Sequence, residues 1–203
     1  MSKLKESGIY FLSTMATTAF NALNTVLIGI FLSEGDVAFW SLCMQMVAAV
    51  EALYGPIVDG VYPDMVKTRE IGQLKRLLKI FMPIVLAGCV FTFAAAKYIL
   101  LVIGGEKYCD AAFLLRLLVP VLFLDLPVML FGWPALGSIG RAKEVTTATV
   151  TSALFQVTGL LLLIAFKCFT LRSIAVLSCI TELVMLSIRL SYCYRFRTDF
   201  AYD

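Results

Sequence analysis

Histidine is absent from the 203 residues, and charged residues make up only 15% of them. The first absence removes the commonest general base and the commonest metal ligand together. The second is far below the roughly 25% usual for a soluble domain, while the apolar share reaches 61%. The sequence also lacks low-complexity tracts, CxxC spacings and any linker long enough to divide it. A net charge of +3 gives no footprint for a nucleic-acid partner. What remains is an apolar chain too greasy to hide its surface in one soluble core.

The apolar residues fall in six runs, at 9–32, 37–61, 77–103, 111–131, 145–166 and 173–194. Each is long enough for a helix across a hydrocarbon core of roughly 30 Å, which needs about 20 residues. The runs are continuous rather than alternating, so helices are expected in place of a barrel. The expected fold is all-α: a polytopic membrane bundle of six transmembrane helices in one unit, 1–203. The first run extends too far, without a small-residue cleavage site, to read as a signal peptide.

Basic residues set the expected direction. Lys3, Lys5, Lys67, Arg69, Lys75, Arg76, Lys79, Arg141, Lys143, Arg195 and Arg197 fall on one side of the six runs. Lys97, Lys107, Lys167 and Arg172 fall on the other. The positive-inside rule then predicts that both termini are cytoplasmic. Cys43, Cys89 and Cys179 lie inside apolar runs as small hydrophobes. Cys109 and Cys168 share the external side, which leaves a bridge between them open.

Polar groups inside the runs are the candidates for function. The first run carries Thr14, Thr17, Thr18, Asn21, Asn24 and Thr25, mostly on one helical stripe. They read equally as glue between packed helices or as the lining of a wet cavity, with Asn21 and Asn24 the candidate lining groups. Glu51, Asp59, Arg116, Asp125 and Glu182 are ionisable groups within runs. Such groups are costly in lipid and are expected to face a protein interior or a counter-charge. Arg116, near the external end, can also snorkel outward. Glu51, Gly55, Asp59 and Tyr62 are spaced four, four and three apart, on one face of the second helix. Pro56 is expected to bend that helix and Pro63 to end it.

Residues 24–65, NTVLIGIFLSEGDVAFWSLCMQMVAAVEALYGPIVDGVYPDM, resemble the polysaccharide flippases of the multidrug/oligosaccharidyl-lipid/polysaccharide exporter superfamily, of the O-antigen type. The shared pattern is Asn24-Thr25, Gly29, a short acidic loop, Val37, Phe39, Trp40, Pro56 and Tyr62-Pro63. LLRLLVPVLF at 114–123 and LGSIGRAKEVTTATVTSALFQVTG at 136–159 extend it more loosely. The resemblance implies the C-terminal six-helix lobe of a transporter with about twice as many spans. Met1 is then expected to be an internal methionine, and an N-terminal six-helix half the partner. It implies alternating access, a lipid-linked oligosaccharide as substrate and a bacterial inner-membrane location, usually with coupling to an ion gradient. It implies no cofactor and no enzyme activity. Alternatives stay open: an organic-cation antiporter of the same superfamily, in which Glu51 or Asp125 would bind the cation, or a membrane-embedded polymerase or acyltransferase.

Overall fold

A computed structural model describes residues 22–201 of the chain. The six helices are α1 (Ala22–Phe31), α2 (Glu34–Thr68), α3 (Ile71–Gly104), α4 (Ala112–Leu130), α5 (Ala142–Ala165) and α6 (Leu171–Arg195). Five of them, α4 counted with its short extensions, are long and apolar enough to cross a membrane, and no strand is named among the described residues. The architecture is an all-α bundle, as expected. Residues 9–21 of the first run, Asn21 among them, lie outside the described residues.

Local signals place most helix ends. Ser33 accepts from the Asp36 amide at 3.2 Å while Asp36 accepts from the Ser33 amide at 3.1 Å, a reciprocal cap that starts α2. Thr170 accepts from the Ser173 amide at 3.2 Å and starts α6. Two ends differ from the expectation. Pro63 does not terminate the second span; α2 runs unbroken through Pro56 and Pro63 to Thr68. Each proline removes only one donor, a loss that membrane helices tolerate. The stop comes at Arg69, whose left-handed backbone (φ 56°) breaks the chain, and α3 resumes at Ile71. The basic joint at 64–76 is thus two helix ends around a tight turn instead of a loop.

α4 is the central post. It packs against α2, α3 and α6, and α5 packs on α6. Leu114, Leu115, Leu118, Leu122, Leu126 and Leu130 are buried, spaced to form one broad apolar face. α3 stands outside, presenting Ile84, Val90, Phe91, Phe93 and Val102 outward. Beyond α4 the chain kinks through an irregular segment, Phe131–Gly137, with Gly132 off the helical path at ψ −110°. At the same end, Arg141 meets Asp199 at 2.9 Å and stacks on Phe196 at 4.0 Å. The Ala201 amide donates to the Arg69 carbonyl at 2.9 Å, so Ala201 lies against the α2–α3 turn. Cys109, Cys168 and the other four cysteines are free thiols.

Candidate functional site

At mid-length the helices part to leave a cavity of about 450 Å³. Its wall takes Asn24 and Thr25 from α1, one side of α2 including Trp40, Gln45 and Glu51, and Leu118 and Val121 from α4. α5 adds Thr149 and Gln156, and α6 adds Ser178, Thr181, Glu182 and Met185. α3 contributes nothing to it. The volume falls within the range of roughly 300–1,000 Å³ typical of small-molecule sites.

One polar network holds three of these walls together. The Gln156 amide nitrogen donates to Asn24 Oδ1 at 3.2 Å and to Ser178 Oγ at 3.5 Å. The Gln156 carbonyl oxygen accepts from Thr181 Oγ1 at 2.6 Å. In lipid, where water cannot satisfy an amide, such bonds fix helix order. Asn24 therefore serves both readings of the first-run stripe: it bonds across helices and borders the cavity. The network also explains why α5 sits where it does, since Gln156 is the sole glutamine of its run.

The acids gather at the same level. Glu51 is the middle residue of α2, and Glu182 lies next to the middle of α6. Both border the cavity. Asp125, 6% exposed, approaches Glu51 between α2 and α4 without itself lining the cavity. Its Oδ2 is buried with no hydrogen-bond partner. Tyr54, one turn along α2 from Glu51, donates to the Leu122 carbonyl at 3.1 Å and ties α2 to α4 beside the acids.

Glu182 has its counter-charge in Arg189. This residue, 8% exposed, interacts electrostatically with Glu182 on its own helix. Its guanidinium donates to the Val128 carbonyl and, at 3.2 Å, to Thr149 Oγ1. The guanidinium lies beside the break at Gly132, where the backbone leaves the helical path. A Cβ on Gly132 would stand 2.8 Å from the guanidinium, so glycine makes the room. The three acids thus outnumber the one buried cation among them, Arg189, which interacts with Glu182, an arrangement able to hold a proton or a cation in the cavity region.

The remaining sequence candidates lie elsewhere. Asp59 is exposed on α2, and Tyr62, on the same helix, lies beside Gly137 towards the basic end. The shared face proposed for Glu51, Asp59 and Tyr62 therefore reaches the cavity only at Glu51. Arg116 is exposed, its Nε donating to the Phe93 carbonyl of α3 at 3.0 Å, so its charge runs along the outside of the bundle. Sequence reasoning missed Arg189 and Gln156. Arg189 follows Glu182 by seven residues, two turns along one face, and that spacing was available to reveal it.

No family model, curated protein or solved structure matches the chain. Fold and site together define a class: a multi-pass helical membrane protein with a polar, acid-bearing cavity at mid-depth.

Proposed function

We propose that the chain is one lobe of a membrane transporter, and that its cavity is half of a pathway for a lipid-linked oligosaccharide. The observation that carries the reading is the cavity itself, whose hydroxyl, amide and indole groups stand among helices long and apolar enough to cross a membrane. A passive bundle has little need of the acids Glu51 and Glu182 that border the cavity, because each is expensive in lipid. Amides, hydroxyls and an aromatic face are also the groups that bind sugars, and the flippase resemblance of residues 24–65 agrees with them. A second six-helix lobe, preceding this one in a longer protein, would cover the open side. The basic end of the bundle would face the cytoplasm of a bacterial inner membrane.

A second reading, an organic-cation antiporter, has one observation in its favour. Glu51 and Glu182 line the cavity and no lysine or arginine does, which suits a cation better than a pyrophosphate. Expression in a flippase-deficient strain, with the preceding half supplied, tests both. Glycan export is expected, and the Glu51→Gln/Glu182→Gln double variant should lower it about tenfold or more at equal membrane abundance. Residues 1–203 alone should not complement. Undiminished export by the double variant contradicts a working role for the cavity. Resistance to organic cations without glycan export selects the second reading.

A further inference from the structure

α2 and α3 have 35 and 34 residues, about 50 Å each at 1.5 Å per residue. The hydrocarbon core is only about 30 Å thick, so both helices must project beyond it. The surface of α3 marks where. Between Lys79 and Lys97 the helix carries no charged residue, a rise of about 27 Å. Its exposed residues there include Ile80, Ile84, Val90, Phe91 and Phe93. Lys79 and Lys97 therefore stand at the two edges of the apolar layer.

The two edges are unlike. Lys97 is followed by exposed Tyr98, the amphipathic aromatic common at an interface. On the other side Lys79 is followed, down the same helix, by exposed Arg76 and Lys75, with exposed Lys67 and Arg69 across the turn. Protein anions do not balance this cluster. Among the described residues the ion pairs are those of Arg141 with Glu144 and Asp199. Glu70, within the turn, accepts instead from Gln73 at 3.1 Å. The first turn of α3 holds no acid. Lys75, Arg76 and Lys79 project at the depth of lipid phosphates, on the helix that presents its apolar side outward.

We propose that Lys75, Arg76 and Lys79, with Lys67 and Arg69 across the turn, form a binding site for the headgroup phosphate of an anionic phospholipid. The inference is independent of the transported cargo and of the cavity. The apolar face of α3 above Lys79 receives the acyl chains while the cations hold the phosphate. This goes further than an even attraction of the basic end to a charged leaflet, because the site is confined to the α2–α3 turn. It predicts a lipid that stays with the protein when neighbouring lipids exchange.

The test is to reconstitute the chain in bilayers of phosphatidylcholine with a minority of phosphatidylglycerol and to measure, by native mass spectrometry, the lipids that remain bound. The wild type should retain phosphatidylglycerol at least ~5-fold above its share of the bulk lipid. Lys75→Gln/Arg76→Gln/Lys79→Gln should bring the ratio to the bulk value, and Lys97→Gln should leave the enrichment intact. Raising salt to about 1 M, where screening reaches roughly 3 Å, should abolish enrichment in the wild type, a measurement that needs no variant to fold. Enrichment that survives the triple substitution or the salt, or its absence from the wild type, overturns the proposal.

Discussion

α3 and α4 are nearly equal in mean hydropathy, 2.1 and 2.2 over their most apolar stretches, yet 11% of that stretch is buried in α3 and 61% in α4. Apolar content alone does not decide which helix becomes the post and which meets lipid. Hydrocarbon is as apolar as leucine, so no hydrophobic force draws one ahead of the other. The difference lies in the exceptions. α4 carries Asp125, Pro120 and Pro127 and runs into the break at Gly132. Each offers a neighbour something to pack against or bond. α3 has one proline and no acid among its residues. Polar groups and helix defects select partners, and the unblemished helix is left outside.

The largest effect is expected at Arg189. Arg189→Ala would strip Glu182 of its counter-charge and leave the Val128 carbonyl bare, a loss of about 3–5 kcal/mol. Thermal unfolding in mild detergent should register it as failure to recover folded protein. Arg189→Lys should recover only part, because an ammonium cannot reach two partners with a planar fork. If Arg189→Ala melts like the wild type, the charge balance assigned to α4 and α6 is wrong.

Gly132→Ala comes next. The new methyl would meet the guanidinium at 2.8 Å, and overpacking of this kind costs about 1–3 kcal/mol. Combining it with Arg189→Ala should relieve the clash, so the pair is expected to be non-additive in a double-mutant cycle. Gln156→Leu should follow at about 1–2 kcal/mol through loss of its bonds to α1 and α6. Chemical crosslinking between cysteines placed on α1 and α5 would report the looser join. The smallest effect belongs to α3. Phe91→Leu, on its exposed face, should change the melting temperature by the equivalent of no more than ~0.5 kcal/mol. A large loss there would mean that another protein element, not lipid, covers α3.

The contrast also shows what sequence could carry. Five of the six apolar runs correspond to described spans, with the larger boundary errors at the α2–α3 joint, because continuous apolar length is a direct response to bilayer thickness. The end of α2 was misplaced because proline was weighed as in a soluble helix, whereas Arg69 makes the stop through its backbone. Glu51 and Glu182 were legible as mid-depth acids. Their surroundings were not: Gln156 and Asn24 lie 132 positions apart, and no local pattern announces such a pairing. Arg116 and Arg189 were interchangeable by type, one arginine near each end of the bundle. Only packing distinguishes the guanidinium along α3 from the one bonded at the break beyond α4.

The central claim is that water and polar solutes reach the α2–α6 interior while α3 meets lipid, and spin-label accessibility in bilayers measures it most directly. Labels at Gln45→Cys and Ser178→Cys should collide readily with a water-soluble nickel chelate. Labels at Val90→Cys and Phe93→Cys should collide with oxygen and hardly with nickel. Oxygen-rich, nickel-poor signals at positions 45 and 178, or the reverse at 90 and 93, would contradict the account.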